Sequence, residues 1–322
     1  MQEQVLNTPK RKHSIKGYFK REFNKLKKHK AIAAFILPAM IISFVLGYIP
    51  MLGVIFAFKE EVRASYWLYD TLTSGWTLQN FIDVFADEAF LVALGNTLTI
   101  SFLKLIIIFP LTILVAIMLA EIKKTWVSKI ILIILCLPNF LSWPVCIGIW
   151  QNILGLDNGV LNNIIANLGG ERIYFFNDWY TFLVVFLAAW KGIGWSSIYY
   201  YAAIVSIDKS YYEAATIDGA NKIQKIKYLT LPSILPIIAL MLVMNITYIL
   251  DAGFDQIYSM LQLVRSATYD KQILGTYIFD LAMQNANIPF TVALSVFNGL
   301  FALFLMLGGN TLVKKTLHRS LW

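Results

Sequence analysis

Residues 93–120 read ALGNTLTISFLKLIIIFPLTILVAIMLA, 28 residues with one formal charge, Lys104. At 1.5 Å per residue a helix of that length is about 42 Å long, more than the ~30 Å hydrocarbon core of a bilayer. In water the run would expose apolar surface on every face, whereas in lipid a helix satisfies its own backbone polar groups. Working outward, similar blocks recur at 31–58, 129–151, 180–206, 231–250 and 290–313. Four carry helix-bending residues: Pro38, Gly47, Pro50 and Gly53 in the first, Pro110 in the second, Pro138 and Pro144 in the third, Pro232 and Pro236 in the fifth. Membrane helices tolerate these where neighbours satisfy the freed carbonyls. The composition agrees, with 322 residues that are 58% hydrophobic and 14% charged, against roughly 25% charged in soluble domains. The expected fold is all-α, a polytopic membrane protein with six transmembrane helices. Residues 31–313 form its membrane domain, between a basic tail at 1–30 and a short tail at 314–322.

The formal charge is +8, but its distribution speaks of topology rather than nucleic acid. The run from Lys10-Arg11-Lys12 to Lys27-Lys28-His29-Lys30 adjoins the first span, and basic residues collect on the cytoplasmic side of a membrane protein. With the N-terminus inside, the tails and inner loops hold 20 Lys and Arg, including Lys123, Lys124, Lys129, Lys314, Lys315 and Arg319. The outer loops, near 59–92, 152–179 and 251–289, hold five: Lys59, Arg63, Arg172, Arg265 and Lys271. Both termini are therefore expected in the cytoplasm of a bacterial cell, with the tail also able to touch anionic lipid heads. No nucleic-acid-binding motif accompanies the charge. The outer loops also hold 13 acids, a surface complementary to basic patches on an external partner. Trp76, Trp179 and Tyr180 are expected as headgroup anchors. Cys136 and Cys146 lie in one predicted span and imply no oxidised framework. The first apolar block is too long for a signal peptide and lacks a cleavage site. No inverted pair of broken helices is visible, which speaks against a repeat-built secondary transporter.

The loop between the fourth and fifth spans stands apart. From residue 207 it reads Ile-Asp-Lys-Ser-Tyr-Tyr-Glu-Ala-Ala-Thr-Ile-Asp-Gly-Ala-Asn-Lys, and it closes on Leu229-Thr230-Leu231-Pro232. Asp208 and Ser210 are both N-cap types, and Glu213 stands three residues after Ser210 as a capping box requires. Two helical turns are expected up to Asp218, then a left-handed cap at Gly219, then a second short helix over 220–229 that ends before Pro232. Two short helices joined at a glycine make a compact knob with small faces (Ala214, Ala215, Ala220) and charged ones (Glu213, Asp218, Lys222, Lys225). The competing reading is an amphipathic helix lying on the membrane surface, which suits Ile223, Ile226 and Leu229 but not the Glu-Ala-Ala.

Glu213-Ala214-Ala215, three residues, Gly219, nine residues, then Leu229-Thr230-Leu231-Pro232 is similar to the EAA loop of binding-protein-dependent ABC importer permeases, written EAA-x3-G-x9-I-x-LP. The sole departure is Leu for Ile at 229, which keeps the apolar contact. Residues 48–59, Asn96-Thr97-Leu98, residues 190–195 (Trp-Lys-Gly-Ile-Gly-Trp) and the terminal Leu321-Trp322 also resemble the oligosaccharide and polysaccharide branch of that family. The resemblance runs from about residue 30 to the end.

It implies a type I importer permease fold with a cytoplasmic coupling loop at 211–232. It implies that Glu213, Ala214, Ala215, Asp218, Gly219, Leu231 and Pro232 engage an ATPase. The chain has no phosphate-loop motif, so it needs no cofactor of its own, and ATP and magnesium belong to separate subunits. The implied partners are two ATP-binding cassette ATPases, a second homologous permease, an extracytoplasmic solute-binding protein, a carbohydrate substrate and the lipid bilayer; nucleic acid is not among them. Sugars are held by aromatic faces and by amide or carboxylate hydrogen bonds. The candidates for a pathway are Trp143, Trp150, Trp190, Trp195, Tyr199, Tyr200, Asn245, Tyr248, Asp251 and Asp255, each with a plain packing role as its alternative. Lys104 and Lys191 are more pointed, since ionisable groups inside a bilayer face a cavity or a partner. Lys191 suits either an acidic sugar such as a uronate or an acid on the second permease. The rivals are the same architecture carrying an amino acid, peptide or phosphate, a stand-alone ion-coupled transporter or channel, and a membrane scaffold. Enzyme chemistry is not expected. The histidines, His13, His29 and His318, all lie in the tails, and there is no Gly-x-Ser-x-Gly, His-Glu-x-x-His or Cys/His ligand cluster.

Overall fold

A computed structural model describes residues 30–264, 268–284 and 287–317. The basic tail before Lys30, Arg265, Arg319, Leu321-Trp322 and all three histidines lie outside the described residues. The chain divides into two units after Ile55. The first contains helix α1 (Lys30–Gly47), with Pro38 inside it, and the start of a 3-10 helix, Pro50–Phe58. Phe35, Met40, Phe44 and Leu46 on α1 are all exposed, as lipid-facing side chains are.

The second unit begins at Phe56, and among its described residues the regular structure is helical apart from a single two-residue bridge between Lys59 and Trp76. In chain order it holds α2 (Trp67–Thr73), α3 (Gln79–Ala86), α4 (Glu88–Ala120), α5 (Thr125–Cys136), α6 (Trp143–Leu154), α7 (Val160–Asn167), α8 (Phe175–Asp178), α9 (Tyr180–Val205), α10 (Lys209–Ile217), α11 (Lys222–Lys225), α12 (Leu231–Thr247), α13 (Phe254–Leu261), α14 (Leu274–Met283) and α15 (Ile288–Leu317). Among the described residues five helical stretches are long and apolar enough to cross a membrane, at Ala34–Phe58, Glu88–Ala120, Tyr180–Val205, Lys222–Thr247 and Ile288–Thr311, plus one bent pair.

Helices α4 and α9 form the spine. They pack closely because small and hydroxyl residues face each other, the economical contact where lipid offers no hydrophobic drive. Ser197 on α9 donates to the carbonyl of Thr112 on α4 (3.1 Å). A Cβ at Gly194 would stand 2.1 Å from the carbonyl oxygen of Leu135, so only glycine lets α9 approach α5. One end of the spine is sealed by Ile147, Leu183, Leu187, Ile257, Met260 and Ile273, the other by Ile117, Tyr200, Ile204 and Ile234.

The third predicted span, 129–151, is not one helix. α5 continues as a 3-10 turn over Leu137–Phe140, the backbone is extended at Leu141 and Ser142, and α6 leaves at 100°. Pro138 and Pro144 lack the N–H groups a continuous helix needs. The pair still runs from one end of the unit to the other. Ser128 bonds the Leu119 carbonyl and Tyr201 at one end, and at the other the carbonyl of Leu154 accepts from Asn162.

A second expectation also fails. The helix after Gly219 does not stop before Pro232 but runs unbroken from Lys222 to Thr247. A π-turn over Ile226–Thr230 leads into α12, with Pro232 in its first turn. The wider turn relieves the clash between the proline ring and the preceding carbonyl. Nor does Tyr180 act as a headgroup anchor. It is buried, with its hydroxyl donating to Lys271 O (3.3 Å), while Trp76 and Trp179 are exposed.

Candidate functional site

Two features carry chemistry: the loop between the fourth and fifth spans, and a cavity between α4, α9 and α12. In the loop, Asp208 rather than Ser210 caps α10. Its carboxylate accepts the Ser210 N–H (2.9 Å), which holds its pKa below the usual carboxylate range. α10 ends in a full left-handed cap, as the spacing predicts. Gly219 has φ +78°, its N–H reaches Thr216 O (3.1 Å), and the Ala220 N–H reaches Ala215 O (2.9 Å), the paired bonds of a Schellman motif. The capping box forms one helix later, where Asn221 and Gln224 exchange bonds of 2.8 and 2.9 Å. Lys225 donates to Thr216 (2.7 Å), and the Tyr212 hydroxyl meets that of Thr230 (2.9 Å). The two short helices are thus braced on each other and on the π-turn.

This bracing leaves the predicted contact residues on the outside. Glu213, Ala214, Asp218 and Gly219 are exposed, and Ala215 is half-buried. Ile217 is 87% and Ile223 76% exposed. Leu231 is half-buried and Pro232 exposed at the start of α12. Ile226 and Leu229 tuck partly under the unit.

The cavity has a volume of about 320 Å³, at the lower end for ligand sites. On α4 its lining is Ser101, Lys104, Leu105, Ile108, Phe109 and Thr112, a stripe at three- and four-residue spacing that one helix face presents. Ala188, Gly192, Ser196, Tyr199 and Tyr200 continue it on α9, Met241 and Asn245 on α12, and Tyr248 just past its end. Of the residues singled out from sequence, Lys104, Tyr199, Tyr200, Asn245 and Tyr248 come together here. The hydroxyl, small and glycine members were missed, although the α4 stripe carried a legible signal once Lys104 is taken as its centre.

The others lie elsewhere. Trp150 packs edge-on against Phe186 and Trp190, with its Nε1 buried and without a partner. Trp195 stands edge-on to Phe140. Asp251 and Asp255 are exposed and outside the lining. Lys191 is buried against the break in the third span. It donates to Leu141 O (2.6 Å), Asn139 O (2.9 Å) and Pro138 O (3.3 Å), and its ammonium lies 5.4 Å from the Trp143 ring centre. Lys104 reaches across to the turn after α12, donating to Ala252 O and Gln256 Oε1, both at 2.8 Å. Among the described residues no group of His, Cys, Asp and Glu is arranged to hold a metal ion.

Membrane-length apolar helices, a cavity between α4, α9 and α12, and a braced helical knob between α9 and α12 define a multi-pass membrane permease. The chain belongs to the family of binding-protein-dependent transport system inner membrane components, whose pattern it matches over residues 108–314. It is 32% identical, over 92% of its length and 91% of the relative's, to the polygalacturonan/rhamnogalacturonan transport system permease YteP of Bacillus subtilis. It also resembles, at 33% identity and a TM-score of 0.80, a chain in the crystal structure of a bacterial ABC transporter that imports the acidic polysaccharide alginate, covering 92% of this chain and 99% of that one. A second alginate transporter structure, in complex with an alginate pentasaccharide-bound periplasmic protein, matches at 32% identity and a TM-score of 0.80, over 94% of this chain and the whole of that one.

Proposed function

We propose that this chain is the permease subunit of an ATP-driven importer for an oligosaccharide, forming one half of the pathway and coupling to separate ATPase subunits through residues 211–232. The observation that carries the reading is the knob. Ile217 and Ile223 stand exposed beside Glu213 and Asp218, the mixed apolar and charged surface a protein partner covers. The knob is also continuous with a wall of the cavity, since α11 runs unbroken into α12, which carries Met241 and Asn245. Closure of two ATPases on ATP and magnesium would draw this knob toward that of a second permease and rock α12 outward; release of ADP and phosphate would reverse it. Coupling of this kind requires that the knob contacts differ between the two states.

The lysine and arginine bias supports both termini in the cytoplasm of a bacterial cell. It leaves the acidic outer loops for the solute-binding protein. The cargo reading draws on the polygalacturonan/rhamnogalacturonan and alginate systems that this chain resembles.

The test is uptake by cells expressing the whole transporter. Gly219→Asp adds a charged side chain at a left-handed turn (φ +78°) on the exposed knob, and Glu213→Lys reverses the charge of the knob. Both variants are expected to insert normally and to lose uptake. Deleting residues 211–228 is expected to release the ATPase from the purified permease. Wild-type uptake by both variants sinks the coupling assignment, and ion-driven flux through the purified chain alone sinks the importer.

A further inference from the structure

The segment that follows the first apolar helix turns large apolar side chains outward. In α2, Trp67, Leu68, Tyr69 and Leu72 are exposed, Leu72 by 79%. At the start of α3 and along it, Leu78, Ile82 and Phe85 are exposed, at the three- and four-residue spacing that puts them on one helix face. What these helices bury includes polar groups, Asp70 on α2 and Asn80 beside Val84 on α3. Exposed apolar rows of this kind mark a contact with a protein or with a membrane.

Charge is kept away from the rows. Residues 64–86 hold Asp70 and Asp83 as their only charged side chains. Asp70 is turned inward, accepting from the Arg63 N–H (2.8 Å), Nε (3.0 Å) and Nη2 (2.7 Å). Asp83 accepts from Gln79 (2.8 Å), on the flank of α3 away from the row. The level of both helices is set by apolar helices that cross the membrane. Trp67 packs on Phe56, with ring centres 6.4 Å apart, and Phe81 on Phe58 at 5.2 Å, at the very end of Ala34–Phe58. Asn80 donates to Ala57 O (3.0 Å) and Lys59 O (2.9 Å). Phe85 stands edge-on to Phe297 at 5.5 Å, inside Ile288–Thr311.

We propose that α2 and α3 lie in the outer headgroup region of the bilayer, where phospholipid covers Leu68, Leu72, Leu78, Ile82 and Phe85. Three observations choose lipid over an external protein. The rows continue the apolar surface of the helix they follow, at the level where that helix ends. Trp67 and Tyr69 are the residue types that settle between headgroups and acyl chains. The rows also lack the charges that rim a surface covered by a soluble partner, which the knob does carry. An interfacial helix buries its apolar face at the acyl boundary. The landing surface for an external partner is then left to Glu60, Glu61 and the loops at 152–179 and 251–289. This proposal needs only the membrane fold and stands whatever the cargo.

The experiment uses the complete transporter in vesicles of phosphatidylcholine and phosphatidylglycerol. Spin labels are placed singly at L72C, I82C and, as the water-facing control, E61C, in a C136S/C146S background. Collisions with oxygen, which enters the bilayer, are compared with collisions with a water-soluble nickel chelate. The polar chelate loses its hydration on entering the bilayer, so the oxygen-to-nickel ratio should be about 10-fold higher at residues 72 and 82 than at residue 61. Adding the solute-binding protein should leave the ratios at 72 and 82 unchanged. Nickel collisions at 72 and 82 as frequent as at 61 overturn the proposal. So does a loss of both collisions on adding the binding protein, which makes the surface its docking face, or a loss of both without it, which assigns the surface to another subunit. A second measurement needs no substitution: the wild-type transporter is irradiated in vesicles containing a phosphatidylcholine with a diazirine near its headgroup. Lipid adducts are expected on peptides from 64–86, and their absence there while peptides of Ala34–Phe58 are labelled also overturns the proposal.

Discussion

Replacing Lys191 by methionine keeps an unbranched side chain of similar length while withdrawing the donor that bridges the broken third span. Of the three carbonyls it serves, Pro138 O keeps a second partner, the Leu141 N–H at 3.2 Å. The carbonyls of Asn139 and Leu141, at 2.9 and 2.6 Å from the ammonium, lose theirs in a region without helical donors. Side-chain hydrogen bonds between membrane helices average about 0.6 kcal/mol and reach about 1.7. Two such bonds put the local loss at about 1–3 kcal/mol. The middle of that range raises the open population about 30-fold. The protein carries its own reporter, since Cys146 is fully buried on α6 with its sulfur 4.0 Å from Pro138 O. In a Cys136→Ser background, the rate of N-ethylmaleimide addition to Cys146 in the detergent-solubilised complex, followed by intact mass, should rise by about that factor in K191M. K191R should restore part of the protection. Modification of Cys146 at the wild-type rate in an assembled K191M complex would show that packing alone, through Gly194 and Trp143, holds the bend.

Further outcomes follow from the same geometry. Gly194→Ala places a methyl group 2.1 Å from Leu135 O and 2.7 Å from Cys136 N, backbone atoms that cannot yield as a side chain does. It should cost about 1–3 kcal/mol or more, seen as loss of monodisperse permease on size exclusion. Asn221→Ala removes one arm of the capping box, with an expected cost of about 0.5–2 kcal/mol, and hydrogen exchange should quicken at the Gln224 amide while α9 stays protected. Outside the spans, Arg63 holds the Asp70 carboxyl below its usual range through a side-chain bond of 2.7 Å and a backbone bond of 2.8 Å. The folded state therefore favours the charged form. Its contribution is fully present above the unfolded carboxylate range near ~3.9 and is lost as pH falls through the lowered folded value. Protection of the Arg63 amide, relative to its intrinsic exchange rate, should fall below about pH 4 in wild type, and Asp70→Asn should abolish that pH dependence.

The crossings were legible because hydrocarbon imposes a length and forbids charge, and residues 93–120 state both plainly. The knob was legible because Gly219 needs a conformation that other residues avoid, and the observed φ of +78° meets that expectation. What escaped depended on distant groups. The break at Leu141-Ser142 is permitted by Pro138 and Pro144, but Pro110 sits inside α4 and Pro236 inside α12 without breaking either. The difference is a donor 50 residues away, Lys191, that satisfies the freed carbonyls. The capping box moved from Ser210 and Glu213 to Asn221 and Gln224 because Asp208 had already claimed the start of α10. The aromatic candidates divided between cavity and core by helical phase, which Trp150 and Tyr199 share with too many neighbours for composition to separate.

The two ends of α12 also differ in a way that bears on the proposed coupling. At the knob, α12 is joined covalently and without a break to α11. α4, which bears the facing wall of the cavity, meets this end through apolar packing, with Ala116 and Ile117 in one cluster with Ile226, Leu231 and Ile234, and through an exposed pair just past its end, Glu121 to Lys222 at 3.7 Å, the kind of surface pair worth little. At the far end the contacts are directional hydrogen bonds instead. Ser101 on α4 bonds the carbonyl of Ile249, and Lys104 bonds that of Ala252, so α4 grips the chain just after α12. A helix driven at one end and tethered at the other pivots about the tether. On the proposed coupling, movement of the knob would therefore swing Met241 and Asn245 away from α4 while Lys104 and its turn stay together. The cation would remain fixed as the cavity opens around it.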